Sequence, residues 1–537
     1  MAYMRIDNKE GEQYIRIIKS KRDQGKVVKE TVYNLGKVSD YTSVQLKRFG
    51  TKFFELGGGD PRELLEGTIE ELGRYNYGYF QLFSKIFSFY KLDKLLKRVE
   101  LKHKLEINLV NAVMLMLLER LSEPSSKRQN FLNQRDYLGI ENIDLHHLYR
   151  SLDYLSKYQQ AIQNNIYQPS INLFNQGLDV VFYDVTTFYF ESDVEQEGSL
   201  RQKGFSKDGK IGNTQILFGL LIDKHKQPIG YRIYKGDTFE GHTFEHALLQ
   251  LKKQYLIDNI VVVADRGMLS KNNIKLTTET NNYEFIIGER LKSLPDKVKQ
   301  YLLNIDNYSR TWIYNHQGEN ISIRYCTYAH EGKTIICTYS EKRAKKDFQD
   351  REEKLKKAAE LVKQPNLLKK KAQHYFLASK DKTTFYLDEE KVKKHQRYDG
   401  FLAISTNAEK LSVESVLDNY RHLYQIEHSF RTFKTHLETR PMFHWTDKRI
   451  EGHICLCYIA YTMLIHVQNK LLKGNIKLSE AQIRKALDNM QVSHIKNKDD
   501  YFYLRSANKE HIDAIVNRMG LKKLPNITPA KEIKNYL

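Results

Sequence analysis

The sequence predicts an α/β protein whose central sheet is interrupted by a β-rich insertion. A long run of β-branched and aromatic residues at 178–191 predicts the first strand of that sheet. Short, fully apolar strand patterns then alternate with helical patterns as far as residue 289. Such alternation is typical of a parallel sheet that is buried on both faces. A strand-rich, basic stretch follows at 290–397, and the sheet pattern resumes at 401–405.

Two units are predicted ahead of this sheet. Residues 1–60 form a small β-rich unit, since short strand-like runs precede the glycine-rich break that begins at Gly57. Residues 61–170 are predicted to form a helical DNA-binding region, because apolar residues recur every three and four positions through 105–121 and 145–155. Basic residues decorate the helices. The pattern fits a plain helical bundle with a solvated face or a helix-turn-helix, and it favours the bundle.

Residues 171–289 supply the first part of the core. Three closely joined strands predict an antiparallel meander, and two further strands, each preceded by a helix, predict parallel pairing. The order β-β-β-α-β-α-β is that of a ribonuclease-H-like fold. The predicted elements are strands at 178–191, 214–222 and 229–234, a helix at 242–255, a strand at 260–264, a helix at 270–280 and a strand at 283–287.

The insertion, residues 290–397, carries three alternating strands and a charged helix at about 341–363. Over 341–397 there are 18 Lys and Arg against 10 Asp and Glu. This helix is either a DNA-facing arm or a solvated helix packed through a narrow apolar seam of Phe348, Leu355 and Val362. Residues 398–470 complete the core with a strand and one long helix from Ser412 to about His436. Residues 471–537 are predicted to be a C-terminal helical segment.

Composition limits the classes of function. The longest apolar candidate, 454–467, is shorter than the ~18 residues of a membrane span, so we expect a buried helix and no membrane. No secretory signal pattern begins the chain, and four cysteines are too few for a disulfide framework. A soluble cytoplasmic protein is the expectation.

The charge favours a polyanionic partner. There are 86 Lys and Arg against 66 Asp and Glu, a net charge of +20 that is spread over the whole chain. Neutralising phosphates releases counterions, which favours nucleic acid. Charge alone would also fit a ribosomal, RNA-modifying or membrane-surface protein.

Two aspartates lie where a sheet can present them to a metal. Asp184 interrupts an apolar strand, where a carboxylate is costly to bury without a cation or several donors. Asp265 follows the apolar run 260–264, and functional groups collect beyond the carboxyl ends of such strands. Phosphodiester cleavage with two metal ions needs converging carboxylates, and Mg²⁺ or Mn²⁺ prefers oxygen ligands. The alternative is a hydrogen-bonded turn or capping Asp at each position.

Glu427 is the third candidate acid. It lies seven residues after Tyr420 and seven before Lys434, so the three side chains would share one face of a continuous helix. An adjacent apolar stripe would hold that helix on the sheet. An ordinary surface glutamate is the alternative, and the competing candidates for the third acid are Glu414, Glu438 and Glu451.

These residues resemble the DDE transposases of bacterial insertion sequences, of the insertion-sequence-four type. Asp184 lies in YDVTT, Asp265 in ADRG, and Tyr420, Glu427 and Lys434 have the spacing of the family's helix motif. The similarity covers roughly residues 100–470. Further matching segments are HLYRSLDYL (147–155), GFSKDGKIGNTQILFGLLID (204–223), YKGDTFEGHTF (234–244), YDGFLAISTN (398–407) and ETRPMFHWTDKRIEGHI (438–454).

The resemblance implies a transposase. Asp184, Asp265 and Glu427 would bind two Mg²⁺ ions, with Mn²⁺ as a possible substitute, and the enzyme would cut the element's ends and join their 3′-hydroxyls to target DNA. The partners would be double-stranded DNA and a second copy in a homodimeric synaptic complex. The motif's arginine position is Leu423 here, so that contact does not carry over. The predicted DNA contacts are Tyr420, Arg421, Arg431, Lys434, Arg266 and Lys207.

Two alternatives stay open: a ribonuclease-H-like nuclease without strand transfer, and a domesticated DNA-binding protein. Three acids argue against the second, because carboxylates repel phosphate. No P-loop is present, so ATP is not expected. A zinc site is not expected either, because His453, Cys455 and Cys457 are spaced two apart on a predicted helix.

Overall fold

The structure is a computed structural model. It describes residues 2–23, 26–60, 69–170, 179–205, 209, 212–255, 260–265, 283–316, 318–363, 376–379, 385–497 and 500–537. Two compact units are present, and each is described by itself. The first consists of residues 1–74, 493–504 and 526–532, and the second of 75–492, 505–525 and 533–537.

The strands in chain order are β1 Ala2–Lys9, β2 Glu12–Asp23, β3 Lys26–Lys37, β4 Ile69–Asn76, β5 Asp179–Tyr189, β6 Gln202–Lys203, β7 Thr214–Asp223, β8 Pro228–Lys235, β9 Ile260–Ala264, β10 Glu284–Glu289, β11 Arg310–His316, β12 Glu319–His330, β13 Lys333–Tyr339, β14 Leu377–Ser379, β15 Phe385–Leu387, β16 Phe401–Thr406, β17 Gln491–Asn497, β18 Asp500–Arg505 and β19 Ile527–Pro529.

The α-helices are α1 Ser43–Leu56, α2 Gly78–Phe89, α3 Leu92–His103, α4 Leu109–Leu121, α5 Lys127–Asn133, α6 Leu145–Tyr167, α7 Glu240–Tyr255, α8 Asp296–Leu303, α9 Glu341–Lys363, α10 Glu389–Gln396, α11 Val413–Arg421, α12 Tyr424–Arg431, α13 Asp447–Leu472, α14 Glu480–Asp488 and α15 Ile512–Met519. A π-helical turn, Thr432–His436, continues α12.

The first unit is mostly β-sheet, as predicted for residues 1–60. β1, β2 and β3 form an antiparallel sheet in that order. The helix α1 was not predicted from the sequence. It begins at a capping box formed by Thr42 and Gln45. A second sheet has the order β19-β18-β17-β4. Residues 471–537, predicted to be a helical segment, therefore contain three strands as well as the helices α14 and α15. The aromatic sequence Tyr-Phe-Tyr at 501–503 favours a strand there.

The second unit is built around a ten-stranded mixed sheet. β5, β7 and β8 pair antiparallel, and β5, β9 and β10 pair parallel, giving the order β8-β7-β5-β9-β10. The meander and the parallel pairing are therefore confirmed, and β9 has the predicted bounds. The fold is mixed α/β, with the strand order expected of a ribonuclease-H-like core. The helix predicted at 270–280 lies outside the described residues.

The insertion continues this sheet instead of forming a separate layer. β16 lies antiparallel between β10 and β13, and β12 and β11 extend the sheet beyond β13. The charged helix α9 has the predicted bounds, but its predicted seam is only partly buried. Phe348 is 49% exposed. Arg351 and Ala358 are the buried residues that hold α9 instead.

Helices cover the sheet, and α4 and α13 are the most buried of them. α13 crosses α6 so closely that a Cβ on Gly452 would lie 2.0 Å from the carbonyl oxygen of Leu152. By length and composition α13 could span a membrane, yet 89% of its most apolar window is buried within the protein. The buried helix predicted at 454–467 is confirmed.

Candidate active site

The parallel pairing of β5 with β9 brings two predicted acids side by side. Tyr183 is paired with Ala264, and the next residues along the two strands are Asp184 and Asp265. Neighbouring strands lie roughly 4.8 Å apart, and residues at one level of a parallel pair point to the same face. The two carboxylates therefore project from one face of the sheet at the point where β9 ends.

That face is the one turned away from the main apolar cluster of the sheet. Tyr183, Val185 and Ala264 belong to the cluster on the opposite face. Asp184 is half-buried, and its Oδ1 accepts a hydrogen bond of 2.7 Å from the amide of Val185. Asp265 is exposed. Both carboxylates are thus positioned by backbone register, and Asp265 is open to solvent.

The helix that carries Glu427 packs on the same face. Phe433 lies 6.4 Å from Phe188 and 5.1 Å from Phe218 between ring centroids. Phe188 is four residues after Asp184 and shares its side of β5. Glu427 is exposed, directly after the fully buried Ile426. The structure therefore places the helix that carries Glu427 on the face from which Asp184 and Asp265 project.

The helix itself is not continuous, so that prediction is wrong. α11 ends at Arg421, and the amide of Leu423 bonds to the carbonyl of Tyr420 in a tighter, 3₁₀-type turn. α12 then ends in the π-helical turn at 432–436. Because the twist changes on each side of Glu427, seven-residue spacing does not place Tyr420, Glu427 and Lys434 on one stripe. π-helical turns occur frequently at functional sites.

A buried glutamate from α14 holds the π-helical turn. Glu480 is 7% exposed, accepts a hydrogen bond of 2.7 Å from the Thr432 hydroxyl, and lies 2.8 Å from His436 Nε2. Arg484 donates to the carbonyl of His436 at 2.9 Å. The sequence analysis missed Glu480. Its only local signal is an ordinary capping pattern that begins at Ser479, and nothing nearby in sequence points to Thr432.

Arg120 of α4 fixes the end of the same helix. This buried guanidinium donates to the carbonyls of Leu437 at 3.1 Å and Glu438 at 3.5 Å. Carbonyls at a helix end lack partners within the helix, and a cation there also complements the helix dipole. Arg120 was not singled out from the sequence.

The competing acids have other surroundings. Glu414 accepts a hydrogen bond of 2.5 Å from the Tyr325 hydroxyl, which lowers the pKa of Glu414. Glu451 accepts one of 2.6 Å from Ser156. Glu438 follows the π-helical turn. No hydrogen bond or ion pair joins Glu427 to another residue in the part of the chain that the structure describes.

The donor set fits a hard divalent cation. Asp184, Asp265 and Glu427 offer only carboxylate oxygens, which suit Mg²⁺ or Mn²⁺. Their oxygens do not all lie within 4.8 Å of one another. Among the described residues, the group that meets this spacing is Asp144, His146 and His147, which occupies the positive end of the α6 dipole. Ligands of two ions ~3.5–4 Å apart span more space than ligands of one.

The residues predicted to contact DNA are distributed over this region. Tyr420 and Lys434 are half-buried, and Arg431 is exposed. Arg421 lies 4.4 Å over the ring of Tyr314 in β11, so it also ties α11 to the insertion. Arg266 and Lys207 lie outside the described residues.

Comparisons with known proteins agree with the resemblance found in the sequence. The family model described as the transposase DDE domain matches residues 175–463. The N-terminal domain of the IS1634 family transposase matches residues 4–52. The comparison with curated proteins found no match.

Two solved structures are similar over part of this chain. One is a Mos1 transposase paired-end complex with left transposon end, at TM-score 0.15 and 12% identity, covering 37% of this chain and 62% of that one. The other is a pre-cleavage Mos1 transpososome, at TM-score 0.14 and 11% identity, covering 32% and 58%. This chain therefore spans less than two thirds of either solved chain.

Proposed function

This chain belongs to the family of transposase DDE domains, and we propose that it cuts the ends of an insertion sequence and joins them to target DNA. The observation that carries the proposal is the pairing of β5 with β9, which sets Asp184 and Asp265 at one level of the sheet. Converging carboxylates serve a reaction on phosphate, whereas DNA binding alone does not need them.

In this proposal Asp184, Asp265 and Glu427 hold two Mg²⁺ ions. The bound cations supply Lewis-acid activation of the scissile phosphodiester and stabilise its attacking and leaving oxygens. Asp184 and Asp265 contribute ligands whose positions are set by the sheet. Glu427 contributes a ligand from α12, which packs on the face of the sheet that carries the two aspartates.

The other residues bind and orient DNA. Tyr420, Arg421, Arg431 and Lys434 flank Glu427 in sequence and supply hydroxyl, guanidinium and ammonium donors for phosphates. The net charge of +20 supplies a longer-range attraction that depends on salt. Joining two ends to one target needs two active sites, so we propose a homodimer in the synaptic complex.

The test uses the purified full chain with labelled element ends, a target plasmid and Mg²⁺. We expect cleavage followed by joining of the labelled 3′ ends to the plasmid. Cleavage without joining would identify a nuclease. Binding without cleavage in Mg²⁺ or Mn²⁺ would identify a domesticated DNA-binding protein, and either result would overturn the proposal.

A further inference from the structure

A cleft lies between the insertion helix α9 and the sheet. We call it the insertion cleft, and its volume is about 950 Å³. Its walls come from the end of β10 and the turn after it, one side of α9, the segment before β16, and α11. The lining residues used below are Gly288, Arg290, Lys292, Arg343, Lys354, Lys357, Tyr398, Phe401 and Tyr420.

Buried contacts fix the walls of the cleft. Arg351 of α9 is buried and forms an ion pair of 2.5 Å with Asp399, just ahead of β16. Asp347, one turn earlier, accepts a hydrogen bond of 3.0 Å from the amide of Gly400. A Cβ on Gly400 would lie 2.9 Å from Ala344, and Gly400 has φ +84°. The helix therefore meets the sheet tightly at this point, and the cleft is a built feature.

The cleft is lined by six Arg and Lys residues and by four carboxylates, Glu289, Asp347, Asp350 and Asp399. Lys333 and Arg351 form ion pairs with Glu289 and Asp399, so cations are in excess. Arg290, Lys292, Arg343, Lys354 and Lys357 are all exposed along its walls. Within the described part of the chain, no carboxylate forms an ion pair with Arg290, Lys354 or Lys357. The positive charge of the cleft also affects His395. Burial lowers the pKa of His395, which also lines the cleft, and Lys292 and Arg351 lower it further.

The cleft begins beside the predicted active site. β9 and β10 are parallel, with Ala264 paired to Ile287, so the next residues, Asp265 and Gly288, lie at one level. Gly288 is the first lining residue of the cleft. Tyr420, which the sequence predicts to contact DNA, lines the cleft from α11. The strand end that carries Asp265 and the end of the cleft at Gly288 are therefore neighbours in the sheet.

The shape and the aromatic lining select the form of the ligand. A concave site in the range of ~300–1,000 Å³ holds ligands of modest size, so a rigid duplex does not fit inside. Positive grooves with aromatic side chains bind single strands, because bases stack on the rings while cations follow the backbone. Tyr398 and Tyr420, both half-buried, supply rings here, and Lys292 Nζ lies 5.4 Å from the ring centre of Tyr398. Phe401 also lines the cleft, but its ring packs against Tyr308 and Tyr339.

We propose that the insertion cleft binds an unpaired DNA strand adjacent to the phosphodiester held by the acids. The inference rests on the proposed function, because it assumes that DNA reaches Asp265. It assigns α9 a role in holding a strand separated from its complement at the reaction site, in addition to its role in the fold.

The test compares two sides of one helix. Lys354→Gln with Lys357→Gln removes two cations from the cleft wall, and Lys345→Gln with Lys356→Gln removes two exposed cations from the opposite side of α9. The probes are a labelled oligothymidine of about ten nucleotides, a duplex of equal length, and inorganic phosphate as competitor. Binding is measured by fluorescence anisotropy in EDTA, over a range of salt, after circular dichroism and melting show that both variants are folded.

We expect the cleft pair to weaken oligothymidine binding about tenfold and to reduce its salt slope by roughly 1.4, the loss of two contacts to a single strand. The control pair should bind within twofold of the unaltered protein. Equal weakening by both pairs, a loss seen only with duplex, or complete competition by inorganic phosphate at low millimolar concentration would each overturn the inference. Binding in EDTA needs no chemistry, so failure of cleavage with retained cleft binding would refute the proposed function alone.

Discussion

The acids on the sheet and the acid on the helix are held in place by different means. Asp184 and Asp265 are set by the register of two paired strands, whose hydrogen bonds are formed by the backbone. Glu427 depends on α12 and its π-helical turn, which are held by side chains from α4, α13 and α14. The first two acids need only the correct strands, whereas the third needs contacts from segments far away in sequence.

This difference has a consequence for substitutions at a distance. A change in a side chain of α4 or α14 can shift Glu427 while it leaves the β5–β9 register intact. Interactions that fix an active-site group through a second residue typically affect turnover strongly for a small geometric change. We therefore expect the position of Glu427 to be more sensitive to distant substitutions than the positions of Asp184 and Asp265.

The largest effect should come from removing either kind of acid. Asp184→Asn and Glu427→Gln should each reduce strand cleavage by on the order of 10³-fold or more, because each removes a charged ligand from the cations that activate the phosphate. DNA affinity in Ca²⁺, measured by gel shift, should change less than threefold.

Glu438→Gln and Glu414→Gln are matched controls on the same segment, and both should retain at least a third of the activity. Loss of activity in Glu438→Gln with retention in Glu427→Gln would move the third ligand to the end of the π-helical turn. It would also contradict the comparison between acids placed by strand register and an acid placed by side-chain contacts to its helix.

The positions of Asp184 and Asp265, the two acids on the sheet, could be predicted well from the sequence. An apolar run such as Ile260–Ala264 has few alternatives to a buried parallel strand, and the aspartate that follows it must emerge at the strand end. The pairing of β5 with β9 then follows from strand order. The antiparallel meander and the bounds of α9 also agreed with the structure.

The helix-held half could not be predicted in the same way. Heptad spacing assumes an unbroken α-helix, and the 3₁₀-type and π-helical turns on either side of Glu427 depend on tertiary contacts that local sequence does not encode. Glu480 reaches Thr432 across a separation of 48 residues. The extension of the core sheet by β11–β13 and the strands near the C-terminus were missed because partner choice between strands is not a local property.

The next effect concerns acid stability of the helix-held half. The ring of His444 lies 4.9 Å from the ring of His453 in α13, tilted by 48°, and close to Arg120 and Lys127. Burial, together with Lys127, Arg120 and Arg449, lowers the pKa of His444 to about 3. Between pH 6.5 and 3 the unfolded chain binds a proton at this histidine that the folded chain does not, so stability falls as the pH drops, by about 1.4 kcal/mol for each pH unit.

His444→Leu should therefore flatten the dependence of unfolding free energy on pH below 6.5, as measured by urea denaturation at pH 7.5, 6.0 and 5.0. His511→Leu changes a histidine outside this cluster and is the control. If the dependence of unfolding free energy on pH were unchanged in His444→Leu, His444 would be charged or solvated in the folded protein. The pKa of His444 would then not be lowered by burial.

The smallest effect offers the closest comparison, because it uses two buried threonines. Thr432 donates a hydrogen bond of 2.7 Å to Glu480 and holds the π-helical turn. Thr462 donates one of 2.8 Å to the carbonyl of Tyr458 inside α13. Each Thr→Val substitution removes one buried hydroxyl and replaces it with a methyl group of similar shape, so each should lower the free energy of unfolding by about 1 kcal/mol.

If the π-helical turn positions Glu427, only Thr432→Val should also lower the turnover number, by roughly threefold to tenfold, with little change in KM for DNA ends. Raising the Mg²⁺ concentration should recover part of that loss in Thr432→Val and none in Thr462→Val, because only the first alters a ligand of the cations. Equal turnover in the two variants at matched folded fractions would show that the contacts from α14 stabilise the fold without positioning the third acid.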